Sequence, residues 1–221
     1  MRTAERTLAR DVGALGVAVL LVGASFGAIT VAAGLPGWVA VAMSVFVFAG
    51  GAQFLAVGLI AAGSPVAAVL AGLLVNARHL PFGLAVADAV GSGWWRRLLG
   101  SHLLVDESVA FAMTRPDGPE RRRAYWATGV TLFVAWNAGN LLGILFGGAV
   151  GDTDAYGLDA AFPAGLIALI LPSLRDRDTR HVALAGTAIA VLTTPLLPAG
   201  APILLALAGL AVLLLPRRPA W

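Results

Sequence analysis

Apolar residues fall in long blocks along the chain, at 12–33, 39–60, 65–90, 99–113, 124–150, 158–173, 181–197 and 202–215. A helix needs about 20 mostly apolar residues to cross a bilayer, so the pattern predicts an all-α, polytopic integral membrane protein with a single transmembrane domain over residues 1–221. Six to eight transmembrane helices are expected. The first block, from Val12 to about Gly34, exceeds the roughly 7–15 apolar residues of a secretory signal core and is expected to stay as a first span.

The polar joints set the orientation. Arginines gather at Arg2, Arg6 and Arg10, at Arg115, Arg121, Arg122 and Arg123, at Arg175, Arg177 and Arg180, and at Arg217 and Arg218, while joints 34–38, 151–157 and 198–201 hold none. The positive-inside rule assigns the arginine-rich joints to the cytoplasm, which puts both termini there and makes the number of full spans even. "GSGWWRR" (91–97) disturbs this order, because eight full spans would leave Arg96 and Arg97 outside. The alternative is that 65–90 and 99–113 dip in and return, as discontinuous or re-entrant segments. As a helix at 1.5 Å per residue, 99–113 is only about 22 Å long, short of a hydrocarbon core of roughly 30 Å.

Composition narrows the function classes. The chain is 59% hydrophobic and 12% charged, with a mean hydropathy of +0.86. It has no cysteine, which excludes disulfides and thiolate chemistry, and its 15 basic residues are all arginine. The pI near 10.5 is explained by arginines that fix topology, not by nucleic acid. Neither a nucleotide-binding glycine loop, nor a paired-histidine zinc motif, nor a serine elbow occurs, so no enzyme, cofactor or metal is expected. Gly23 with Gly27, Gly139 with Gly143, and Gly143 with Gly147 are small-residue pairs that let helix backbones approach in lipid.

Ionisable side chains inside a bilayer cost about 2.5–3.5 kcal/mol each on insertion scales and are usually paired, wetted or functional. Arg78, Asp88, Asp106 and Glu107 fall in apolar blocks, with His79 and His102 beside them. In "LLVNARHLPFGLA" (73–85), Pro81 removes an amide hydrogen and crowds the Ala77 carbonyl, so the helix should kink or open around 77 to 80. An opened turn would let Asn76, Arg78 and His79 face one polar cavity; the alternative is a kinked helix whose Arg78 forms a structural ion pair with Asp88 or Asp106. In "SHLLVDESVAF" (101–111), His102 and Asp106 share a helical face at a spacing of four, with Glu107 about 100° away. Adjacent carboxylates in a low-dielectric setting suit a proton carrier; the alternative is an interfacial segment with both acids solvated near Arg115. "FAGGAQFLAVGL" (48–59) sets Gly50, Gly51 and Gln53 inside the second span, where they offer backbone and amide hydrogen bonds to a substrate, or simple helix packing.

In order and spacing, "FAGGAQFLAVGL", "VNARHLPFG" and "LLVDESVAF" resemble the signature regions of the AzlC family of branched-chain amino acid permeases, and "LDAAFPAGLIALILPSL" (158–174) resembles its later segment. The resemblance runs from about residue 20 to 175. It implies a multi-pass protein of the bacterial inner membrane, exporting valine, leucine and isoleucine with a small AzlD-type membrane subunit and driven by protons. A zwitterion with an apolar tail needs a cation for its carboxylate, which Arg78 offers, an acid for its ammonium, which Asp106 or Glu107 offers, and an apolar surround. His79 or His102 would relay the proton. A passive channel subunit selecting anions at Arg78, or an assembly subunit whose polar residues hold a partner, are the competing readings.

Overall fold

The computed structural model describes residues 2–147, 171, 173–197 and 201–214. The expected span 158–173 apart from Leu171 and Ser173, the joint 151–157, and Arg217 and Arg218 lie outside the described residues. Every regular element among the described residues is helical. Three helices are long and apolar enough to cross a membrane, Thr7–Ala32, Pro65–Ala85 and Pro119–Gly147, and shorter apolar helices accompany them. The exterior is greasy: Leu84 is 83% and Phe46 79% exposed. The chain is a polytopic membrane protein.

Its spine is a pair of long helices, α1 (Arg2–Ala32) and α9 (Pro119–Gly147). Leu8 and Val12 meet Ala124 near the start of both helices, and Gly147 lies against Ala28 near their ends, so the two run in parallel. Their seam is made of glycines. A Cβ at Gly139 would collide with the Leu20 carbonyl, one at Gly143 with the Ala24 carbonyl, and one at Gly27 with the Asn140 carbonyl. Dispersion between close backbones, not hydrophobicity, drives such contacts in lipid. The small-residue pairs seen in the sequence are this seam.

Between α1 and α9 lie α2 (Gly37–Phe46), α3 (Gly50–Ala61), α4 (Pro65–Asn76), α5 (His79–Ala85), α6 (Ala87–Val90), α7 (Trp94–His102) and α8 (Asp106–Met113). The start of α9 marks one end of the bundle, the arginine pole. Gly91 sits beside Arg96 and Arg122, and Asp88 lies 3.5 Å from Arg121, so "GSGWWRR" joins the other arginines there. Trp94 and Trp95 stack on each other and are exposed at this level, as interfacial aromatics are.

From this pole α7 and α8 dip in and come back. The Tyr125 hydroxyl donates to the Gly100 carbonyl at 2.7 Å, and Leu103 reaches Gly129, one turn deeper. The chain then reverses: Val109 and Ala112 return to Tyr125, and Arg121 Nε donates to the Arg115 carbonyl at 3.4 Å. This is a re-entrant hairpin within the 65–113 stretch.

A second hairpin enters from the opposite pole. Gly37 starts α2 beside Ile144, near the end of α9, Phe48 meets Phe133 midway along α9, and Phe54 then packs on Phe26 and Trp136. The direction of α4–α5 fixes where α3 ends. Its C-terminal side reaches Asp88 at the arginine pole, and Ala77 (φ −56°, ψ −25°) and Arg78 (φ −58°, ψ −24°) stay right-handed, so the chain does not reverse between α4 and α5. Those 21 residues span about 31 Å as a helix. Pro65 and the neighbouring end of α3 therefore lie at the far pole, where α2 began.

Helix α10 (Arg177–Thr193) follows the spine region, its start capped by Asp176, whose carboxylate accepts from the Thr179 N–H and hydroxyl at 2.8 Å each. Gly186 and Gly209 repeat the close-approach device between α10 and the segment 201–214.

Candidate functional site

Both hairpin tips are breaks in which a helix starts inside the bundle. Such a start leaves its first N–H groups without intrahelical partners, and in each tip one side chain reaches back to satisfy part of the deficit. Ser108 Oγ accepts from Val105 N–H at 3.0 Å and lies 3.1 Å and 2.9 Å from the Leu103 and Val105 carbonyls, to which its hydroxyl donates. Gln53 Oε1 accepts from Ala49 N–H at 3.0 Å. Phe48, two residues before α3 begins, takes a positive φ of 43° at the point where the chain reverses.

The charged residues gather at the α8 tip. Arg78 Nε lies 3.2 Å from Asp106 Oδ1, with the two side chains 41% and 42% exposed. The pair borders open space and is not sealed inside protein. Glu107, next along α8, feels both partners electrostatically. Two acids at the first turn of a helix are also favoured by its dipole.

The expected kink around 77–80 takes a milder form. Two turn residues separate α4 from α5, and Leu80 N–H takes the Ala77 carbonyl at 3.1 Å, the group that Pro81 leaves without a donor. The turn tightens and does not open, so Asn76, Arg78 and His79 do not converge on one cavity. Arg78 reaches Asp106, whereas His79 Nδ1 lies 3.0 Å from the Asn76 carbonyl; a carbonyl only accepts, so this nitrogen carries the proton. Asn76 Oδ1 is buried with no hydrogen-bond partner among the described residues.

Two further expectations are corrected. His102 and Asp106 share no helical face, because the break at 103–105 separates α7 from α8; His102 instead packs against the touching rings of Phe48 and Phe133, with centroids 6.1 and 5.5 Å away. Asp88 is no partner for Arg78. Arg121 holds its carboxylate and Arg122 donates to its backbone carbonyl at 3.4 Å.

Gly50, Gly51 and Gln53 lie at the start of α3, not within a continuous helix. Gln53 is fully buried, and its Nε2 has no partner among the described residues. Gly50 faces the Trp136 ring, 3.1 Å from where its Cβ would stand. Sequence reasoning missed Ser108, Trp136 and the Phe48–His102–Phe133 contact. The acid-acid-serine run after Val105 is a helix-start signal that, read as such, would have placed one break.

A family model described as AzlC protein matches residues 14–150. A Helicobacter pylori (strain ATCC 700392 / 26695) protein described as an uncharacterized membrane protein is 30% identical over 175 residues, covering 78% of this chain and 76% of the relative. The Bacillus subtilis (strain 168) branched-chain amino acid transport protein AzlC is 28% identical over 204 residues, covering 90% of this chain and 80% of the relative. No solved structure matches.

Proposed function

The chain belongs to the AzlC family, a membrane transport family, and from that premise we propose that it is the larger subunit of a secondary exporter of valine, leucine and isoleucine. It works in the bacterial inner membrane, with the arginine pole and both termini in the cytoplasm, is driven by proton entry, and acts with a small AzlD-type subunit. The transported class comes from the Bacillus subtilis relative's description. The grouping of Arg96, Arg115 and Arg122 at one pole supports the orientation.

The observation that carries the reading is the half-open Arg78–Asp106 pair at a re-entrant tip. A zwitterion enters such a pair without changing its net charge: the α-carboxylate takes the guanidinium, and the ammonium takes Asp106. Exchange of one ion pair for two keeps every charge partnered in low dielectric, where an unpartnered one is costly. A proton arriving by way of Glu107, beside them, competes with the ammonium for Asp106 and so releases the cargo. With Nδ1 committed to the Asn76 carbonyl, His79 keeps Nε2 for proton exchange. The apolar side chains around the tip suit aliphatic cargo.

Vesicles containing the chain and its small partner, loaded with labelled valine, test this. Uphill movement is expected to stop when the proton gradient is collapsed, and Arg78→Ala is expected to reduce it at least tenfold while the protein still inserts and assembles. Undiminished movement by Arg78→Ala would remove the pair from the mechanism.

A further inference from the structure

The other tip carries no charge but is richer in unused donors. The N–H groups of Gly50, Gly51 and Ala52, the first three of the twelve-residue helix α3, find no acceptor among the described residues. Gln53, fully buried, spends its oxygen on Ala49 N–H. That bond fixes the amide at the helix start, so the two unpartnered hydrogens of Nε2 are held there too. Trp136, whose own indole N–H is buried without a partner, turns the edge of its six-membered ring to Gly50. A Cβ built on Gly51 would meet nothing within 4 Å, so there is room beside these donors. Among the described residues its ring neighbours are Phe26, Phe48, Phe54 and Trp136, with the His102 imidazole against Phe48, and no ion pair lies at the tip.

A cluster with donors only, at the positive end of a helix dipole, rejects cations and takes oxygen anions. We infer that the start of α3 is a second station, separate from the Arg78–Asp106 pair, that binds the carboxylate of a small aliphatic acid through the Gly50, Gly51 and Ala52 N–H groups and Gln53 Nε2. The Phe48–His102–Phe133 contact stands between the two tips. An amino acid passing between poles would leave its ion pair at one tip and be held by its carboxylate alone at the other. The inference draws on the transport reading only for the aliphatic nature of the cargo.

The probe is 4-methylpentanoate, which is leucine without its ammonium; leucine amide, without the carboxylate, is the control. Titrated into the full-length chain in lipid nanodiscs, 4-methylpentanoate should bind saturably and leucine amide should not. Gln53→Glu keeps an oxygen for Ala49 N–H but replaces the free donors with negative charge, and should weaken binding by roughly tenfold or more. Gly51→Leu fills the room beside the donors without meeting other protein atoms at its Cβ, should weaken binding likewise, and decides the matter if Gln53→Glu does not fold. Absence of saturable binding by the unaltered chain, or full binding by Gly51→Leu, overturns the inference. Binding that depends on Gly51 in a chain that moves no valine would leave this station standing and end the export reading instead.

Discussion

The two re-entrant hairpins solve one backbone problem with opposite chemistry. Each starts a helix in the middle of the bundle, and each uses a side chain of the first turns to catch a stranded N–H. At the α7–α8 tip that side chain, Ser108, accepts from one N–H and has its hydrogen engaged by two carbonyls, and the charge lies beside it in Asp106, Glu107 and Arg78. At the α2–α3 tip Gln53 is half engaged, and no ion pair lies beside it among the described residues. The first sets paired charges beside a capping side chain that is fully employed; the second sets free side-chain donors at a cap with no ion pair beside it among the described residues. The side chain with donors to spare is the one with capacity for a ligand.

The largest effect expected is on the charged tip. Arg78→Asp and Asp106→Arg should each abolish valine transport and lower thermal stability in detergent, because each leaves like charges facing one another. Combined, they should recover stability, with a coupling of about 1–3 kcal/mol, but not transport, since the cation then stands beside Glu107 on α8 and the acid on the α4–α5 turn. Recovery of transport by the double variant would show that only the presence of the pair matters.

Next comes the seating of the tips on α9. A Cβ on Gly129 would lie 3.0 Å from both the Leu103 carbonyl and its Cβ, while one on Gly50 would lie 3.1 Å from the Trp136 ring. Backbone yields less than a ring edge, so Gly129→Ala should cost about 1–3 kcal/mol and Gly50→Ala less, as read from unfolding midpoints.

Smaller still is the contrast between the caps. Ser108→Ala strands the Val105 N–H and should cost about 1–2 kcal/mol. Gln53→Leu strands the Ala49 N–H but also removes an amide group that has no partner, so it should cost less than Ser108→Ala. An equal or greater loss would mean that Nε2 is satisfied.

The smallest effect lies outside both hairpins. Hydrogen bonds from the Thr179 N–H, then from its hydroxyl, hold the exposed Asp176 carboxyl below the usual carboxylate range. A carboxyl lowered on folding stabilises above its unfolded pKa, and that contribution fades as pH falls through the folded value. Amide protection at the start of α10, relative to intrinsic exchange, should therefore be constant around neutrality and fall only in acid, and Asp176→Ala should show that lower protection already at neutrality.

Much of this architecture is legible in the sequence because hydropathy and glycine spacing act locally. The apolar blocks give the polytopic class, and the glycine pairs of 23–27 and 139–147 give a seam, since only a missing Cβ allows such approach. "RHLPFG" marks a real interruption, although the cost of losing one hydrogen bond was met by tightening the turn, and Pro81 did not open it. The two tips were harder to read. Their reversals depend on what waits across the bundle, Gly129 for Leu103 and Phe133 for Phe48, and no local pattern encodes that meeting. For the same reason His102 looked like a partner of Asp106: a spacing of four means a shared face only where the helix continues.

The position of α9 bears on how the protein is made. Both tips rest on Gly129, Phe133 and Trp136, which leave the ribosome after either hairpin has been synthesised, and α1 must wait for Gly139 and Gly143 before its glycines are covered. During biogenesis residues 37–113 therefore enter the lipid without their seats, and the arrival of α9 is the event that lets them settle. A nascent chain halted before residue 119 would hold the polar tips in contact with insertion machinery or lipid, and release past residue 143 would bury them in one step.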